Sequence, residues 1–405
     1  MTPVLDVLPK PSEPWHVTPG FDSFGPAVHT RRPRPFSIRR ALQSFGATRM
    51  SDLRRLPKVG EESGDRAELE RVMIGSFPLT IGQPTIITRE FPVGDPWLTM
   101  TINLRGELLG GGTTPTGTIV ADAPLPLWQI ALTTDLDKDV IEPSVSARPL
   151  FRFAQIEEGT AGEITAPTVP GVGATTLFNA VLTIIFADPR LLVPEDSVLD
   201  TRRYNSIFLT ITTGSLADID TTATFTTLQN VVADVEVLRI SPRVPLPLNV
   251  VKVLPFYKRY APLNAFGGDT ILNLDRVPTL AMKRLMMFAT SGSTAGVPFT
   301  GTGSNAVIDT IRVSSNRRDH FGSAVGGISR RVLQHDNKLD YLIETWPTGW
   351  YVYDTVIDRS LLSALATGDL SVLQTIFTYQ AGLSAGMNVS VFENGVQKLR
   401  GTRGR

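Results

Sequence analysis

The sequence predicts an all-β protein: two tandem eight-stranded sandwiches, the second carrying a short helix, behind an extended basic N-terminal arm. Three observations predict it. Prolines crowd the start of the chain (Pro3, Pro9, Pro11, Pro14, Pro19, Pro26, Pro33, Pro35) and disfavour helix and sheet alike. After Gly64 the texture changes to short runs rich in Val, Ile, Thr and Phe, broken by clusters of Gly, Pro, Asn and Asp. A proline-stiffened connector, SPRVPLPLNV from Ser241 to Val250, then separates this series from a second one of the same kind. The boundaries follow: an arm over residues 1–64, one sandwich over 65–245, and another over 246–405 that ends in a short basic tail. With 405 residues the chain is long enough for two cores, since a single core rarely grows beyond roughly 250 residues.

In the arm, the positive charges Arg31, Arg32, Arg34, Arg39, Arg40, Arg49, Arg54, Arg55 and Lys58 are opposed only by Asp52. Within it, SIRRALQSFG reads as a short capped helix: Ser37 as N-cap, Ile38, Ala41, Leu42 and Phe45 on one face, Gly46 as the stop. SDLRRLPKVG repeats the device from Ser51. Helices of two or three turns are unstable alone in water, so this arm needs a surface to lie on. Nucleic acid, an anionic membrane face and another protein subunit all satisfy that need, and a solvated tail is the bland alternative.

The first series places strands near Val72–Ile81, Pro84–Phe91, Leu98–Leu108, Trp128–Thr133, Leu150–Gln155, Thr175–Phe186, Ser206–Thr213 and Val231–Ile240. In SIFLTITT, Ile207, Leu209 and Ile211 face one way and Phe208, Thr210 and Thr212 the other. The second series places them near Val250–Tyr257, Thr270–Leu274, Ala281–Ala289, Ala306–Val313, Tyr341–Glu344, Tyr351–Val356, Leu370–Gln380 and Met387–Phe392. Between its fourth and fifth strands, NRRDHFGSAVGGISRRVLQHDNK predicts a helix with Phe321, Val325, Ile328 and Val332 on one face, weakened by Gly326 and Gly327. Both halves end alike: a threonine-bearing apolar strand, a small-residue turn, then a valine-rich strand. Eight antiparallel strands per sandwich is the jelly-roll count.

Composition narrows the function. Lysine plus arginine equal aspartate plus glutamate at 39 each, so no global field points to nucleic acid or an acidic substrate. Without cysteine there is no disulfide, thiolate metal site or cysteine nucleophile. The four histidines, His16, His29, His320 and His335, lack metal-ligand spacing, which also argues against a metal-binding cupin. The start, MTPVLDVLPKPSEPW, has no apolar core of a signal peptide. The run Phe178–Ala187 falls well short of the roughly 18 residues a membrane helix needs, so the chain is expected to stay in the cytosol until it assembles.

Of the catalytic patterns, GLSAG (Gly382–Gly386) matches a nucleophile elbow around Ser384. A strand-like segment follows it, however, and no histidine lies downstream, so a hairpin loop is the better reading. No cofactor, metal or enzymatic activity is expected. The aromatics of ETWPTGWYVYD, Trp346, Trp350, Tyr351 and Tyr353, suit a core or a subunit interface.

The run NRRDHFGSAVGGISRRVLQHDNKLDYLIE, then GWYVYDTVIDRSLL and DLSVLQTIFTYQAGLSAGMNVSVFENG, is similar to the helix-containing connection and last strands of the double jelly-roll major capsid proteins of tailless icosahedral viruses and bacteriophages. The chain resembles that family from about Val72 to Leu399, by architecture and not by a short diagnostic motif. The resemblance implies trimers whose six rolls form a pseudo-hexagonal capsomer, built into an icosahedral shell around the genome and completed by minor capsid and penton proteins. It implies assembly in the host cytoplasm and residence in the virion. It also implies an arm that faces inward, toward an internal lipid membrane or the packaged genome, or that links capsomers. An arm of 64 residues is long for the family, which favours stitching between capsomers. Two other classes remain: a spike, tail or baseplate β-protein of a virion, and a carbohydrate-binding sandwich, which requires Trp346 and Trp350 exposed on one face.

Overall fold

Strict alternation shapes the strands. In Ile207–Thr213 the isoleucines and Leu209 are fully buried, while Phe208, Thr210 and Thr212 are half-buried. The structure is a computed structural model that describes residues 69–398 except 88–90, 121, 136–138, 159–161, 192–196, 221, 241–252, 266–267, 277–278, 292–301, 317–318, 322–326, 342–345, 357, 360–362, 369 and 384–386.

The first half contains β1 (Leu69–Pro78), β2 (Pro84–Ile87), β3 (Pro96–Gly110), β4 (Trp128–Thr134), β5 (Asp139–Ser146), α1 (Ala147–Glu158), β6 (Ile164–Thr165), β7 (Thr175–Ile185), β8 (Leu199–Asp200), β9 (Ile207–Thr213) and β10 (Thr226–Ile240). The second contains β11 (Val253–Arg259), β12 (Leu263–Asn264), β13 (Asp269–Asn273), β14 (Leu280–Ser291), β15 (Thr302–Gly303), β16 (Ile308–Ser315), β17 (Asp319–Phe321), β18 (Ile328–Ser329), α2 (Arg330–Tyr341), β19 (Trp350–Asp354), β20 (Leu365–Ala366), β21 (Leu373–Tyr379) and β22 (Asn388–Lys398).

The principal strands form two jelly rolls of identical order. In the first roll β1-β10-β3-β7 faces β2-β9-β4-β5; in the second β11-β22-β14-β19 faces β13-β21-β16-β17. The repeat extends to details. The third strand bulges at Leu98 in one roll and at Lys283 in the other. In both rolls the helix directly follows a strand paired with the fourth strand of the roll, β5 in the first and β18 in the second, through Ser146-Ala-Arg-Pro-Leu150 and Ser329-Arg-Arg-Val-Leu333. Each serine hydroxyl accepts the backbone N–H two residues on, from Arg148 at 3.3 Å and from Arg331 at 3.4 Å, and Leu150 and Leu333 are both buried.

Three sequence expectations are corrected. Leu150–Gln155 is part of α1, not a strand, and β5 is the strand missed before it. This helix is covered on nearly every side, its polar stripe of Arg148, Arg152 and Gln155 being itself buried or half-buried, and the alternation in LFRFAQ imitates period two. The second helix starts at Arg330: Phe321 and Ile328 lie in β17 and β18, Val332 is exposed, and Leu333, Asn337 and Tyr341 form the buried face. Tyr341 closes this helix instead of opening a strand.

The described residues all belong to one compact unit with two apolar clusters. One fills the first roll and extends onto the near face of the second roll's β11-β22-β14-β19 sheet through Met286, Phe288, Val352 and Phe392. The other fills the second roll, with Leu285, Met287, Val389 and Val391 from the opposite face of that sheet. Being buried on both faces, the sheet reads as an unbroken apolar run, LMMFA.

Candidate functional site at the joint between the rolls

The fifth strand of the first roll pairs in parallel with the first strand of the second. Ile141 stands opposite Tyr257 and Glu142 opposite Lys258, fusing sheets of both rolls into one of eleven strands. Helix α1 lies over this joint. The Phe153 ring meets Tyr257 edge-on at 5.5 Å, and the buried Arg148 guanidinium, paired with Asp122, sits 5.1 Å over the Phe288 ring. Ile156 lines a small gap with Met286, Trp346, Trp350 and Val352. The Tyr257 hydroxyl donates to the Ile185 carbonyl at 2.8 Å.

Beside these contacts lies a buried charge network. Arg284 Nη1 is 2.8 Å from both Glu157 Oε1 and Asp188 Oδ2, and its Nε is 3.0 Å from Asp354 Oδ2. Lys283 Nζ is 3.0 Å from Asp188 Oδ2, and the Tyr341 hydroxyl donates to Asp354 at 2.9 Å. Glu157 and Asp188 come from the first roll; Lys283, Arg284, Tyr341 and Asp354 come from the second. Burial alone would raise the Asp188 carboxyl, but Arg284 and Lys283 outweigh it and hold the group well below the carboxylate range. Burial likewise opposes the charge on Arg284, and Asp188, Asp354 and Glu157 overcome it, pushing the guanidinium up. Such a network adds little net stability over an apolar contact, yet it tolerates only the arrangement in which every charge meets its partner. It fixes how the rolls face each other.

The predicted aromatics serve inside the chain. Trp350 stacks on Phe288 at 4.2 Å, Trp346 stacks on Tyr341 at 5.7 Å, and Trp346 Nε1 donates to the Trp350 carbonyl at 2.7 Å. Tyr351 is fully buried in the second roll, and the half-buried Tyr353 packs against the same cluster. Both tryptophans being buried, the exposed pair that sugar stacking requires is not formed.

The charged arm residues Arg31, Arg32, Arg34, Arg39, Arg40, Arg49, Arg54, Arg55 and Lys58 lie outside the described residues, as does Ser384. Among the described residues no cluster of three or more His, Asp or Glu side chains could hold a metal ion. Sequence reasoning missed Glu157, Asp188, Lys283, Arg284 and Asp354. The available signal was the Lys-Arg pair interrupting the apolar run LAMKRLMMFATS.

No family model matches the sequence, and no curated protein matches it. Solved structures do match in fold. They include the major capsid protein of Sulfolobus turreted icosahedral virus (TM-score 0.60, 14% identity, covering 82% of this chain and 97% of that one). The major capsid protein P2 of bacteriophage PM2 (0.53, 10%, 82% and 99%) and the Faustovirus major capsid protein (0.50, 8%, 89% and 96%) match as well. The chain therefore has the double jelly-roll fold of these viral major capsid proteins.

Proposed function

We propose that the chain is a viral major capsid protein that assembles as trimeric, pseudo-hexagonal capsomers into an icosahedral shell around a genome. The observation that carries this reading is the internal repeat. Two rolls of the same strand order are joined head to tail by a buried, charge-specified contact, so three chains supply six similar rolls. The shared fold with major capsid proteins supports the same reading. In this function residues 65–245 and 246–405 are the two rolls, and residues 1–64 are the arm, which links capsomers or faces an internal membrane or the genome. Minor capsid and penton proteins complete the shell, in a virion assembled in the host cytoplasm. The role is structural, with no catalytic step and no cofactor.

Light scattering with negative-stain microscopy tests it. Three chains of 44.1 kDa give a particle of about 132 kDa with a hexagonal outline. A chain that stays monomeric at every concentration and salt sinks the proposal.

A further inference from the structure

The joint uses the fifth strand of the first roll and the first strand of the second. The equivalent strands on the outer ends, β17 and β1, are not used this way: among the described residues, β17 pairs only with β16 and β1 only with β10. A contact of one kind with complementary halves left at both ends is the condition for a head-to-tail ring. We infer that the capsomer closes by repeating the joint between chains, with β17 of one chain pairing in parallel with β1 of the next, Phe321 opposite Arg71, and α2 lying over the outer face of that neighbour's β1-β10-β3-β7 sheet. The inference rests on the trimer proposed above.

The pairing registers carry it. In the first roll Leu132 stands opposite Ile141 and Leu209, and Ile130 opposite Val145 and Ile211. In the second Val313 stands opposite Phe321 and Thr375, and Ile311 opposite Ile328 and Phe377. Phe321 thus takes the place of Ile141. On the other side of the joint, Tyr257 stands opposite Asn394, which stands opposite Arg284, the first residue past the bulge. Arg71 stands opposite Leu238, which stands opposite Thr99, the first residue past the equivalent bulge. Arg71 thus takes the place of Tyr257, and the pair Ile141–Tyr257 becomes Phe321–Arg71.

The helices supply an independent observation. Ile156, ten residues after the capping serine of α1, is buried against Met286 and Val352 of the second roll. Its equivalent ten residues after Ser329 is Leu339, which is 62% exposed, and Val332, about two turns earlier on the same face, is 51% exposed. Met286 stands opposite Val352 in their sheet; the matching opposed pair in the first roll is Thr101 and Thr183, both half-buried on its outer face. Leu339 therefore covers two threonines of the next chain. This closing contact is more polar than the joint within the chain, which suits a surface that is solvated before assembly.

A chain without cysteine makes the test clean. Directly opposed residues on neighbouring strands have Cα atoms about 5 Å apart, within disulfide reach. The variant Arg71→Cys/Phe321→Cys, oxidised as the purified assembly, is expected to run on a denaturing gel as covalent dimers and trimers that reductant dissolves. Neither single variant should do so. Glu142→Cys/Lys258→Cys, the pair next to Ile141–Tyr257 in the joint inside the chain, is the control and should close without changing mass. The variant Leu339→Asp, at an exposed helix position, is expected to keep its thermal unfolding profile and to associate at least tenfold more weakly. Trimers by scattering that never cross-link while the control closes, or Leu339→Asp chains that remain fully trimeric, overturn this inference and leave the trimer standing. A wild-type chain that is only monomeric overturns both.

Discussion

Glu393 lies in β22 with its carboxyl buried, accepting a hydrogen bond from the Tyr260 hydroxyl at 2.5 Å. Burial is the main cause that pushes it from 4.5 up to about 7; Asp275 adds to the rise, while the Tyr260 hydrogen bond and Lys258 oppose it. The folded chain therefore holds this proton more tightly than the unfolded chain. The resulting stabilisation is complete below the ordinary value of 4.5 and is lost as pH rises through about 7. A displacement of this size corresponds to about 3 kcal/mol. Thermal melts followed by circular dichroism should show the chain losing stability between mildly acid and mildly alkaline pH, and Glu393→Gln should flatten that slope; an unchanged slope in the variant rejects the assignment. At the joint, Arg284→Ala should cost about 3–5 kcal/mol, because the buried carboxylates of Glu157, Asp188 and Asp354 would all lose their bond to the guanidinium. A melting temperature within a degree or two of wild type would show that the network does not hold the rolls. Neither group was legible in the sequence. Glu393 in SVFENG reads as a turn carboxylate, and its partner Tyr260 is 133 residues away. Only the Lys283-Arg284 interruption of an apolar run hinted that charges meet inside.

Strands with one buried face were legible, because period-two alternation survives wherever the other face is wet, as in β9. Elements covered on both sides were not. Helix α1 turns its polar stripe, Arg148, Arg152 and Gln155, toward the second roll and passed for a strand, whereas in α2 the glycines at 326 and 327 were taken inside a helix that begins only after them. Gly327 explains the difference. A Cβ there would stand 2.7–2.8 Å from the backbone N, C and O of Ile311, so the segment must lie flat against β16 before the chain can turn into α2. Gly327→Ala should push β18 off β16 and lower the melting temperature by several degrees. If it melts like wild type, the close approach does not set where the helix begins. Removing the cap beyond it, by Ser329→Ala, should cost about 1 kcal/mol, a smaller loss seen in the same melts.

The whole molecule combines a body with strict internal geometry and an arm with concentrated charge. With positive and negative side chains equal at 39 each, the proposed capsomers would pack edge to edge without strong mutual repulsion. The arm differs: between Arg31 and Lys58 nine cations face one carboxylate, Asp52. If the body closes the capsomer and the arm joins capsomers or meets phosphates, the two activities must separate on truncation. A chain beginning at Asp65 should form the same three-chain particle, lighter than the full chain's by the mass of three 64-residue arms, but assemble no further. The full chain's larger assemblies should dissolve as salt is raised from about 0.05 M to about 0.5 M, because the Debye length falls several-fold over that range. Scattering at stepped salt reads both effects at once. A phosphate partner gives a steep log-log dependence on salt whose slope counts the contacts, and anionic vesicles or nucleic acid added to the full chain, but not to the truncated one, should restore binding only at the low end. Assemblies of the truncated chain that match those of the full chain would instead place the contacts between capsomers in the rolls and leave the arm without a part in building the shell.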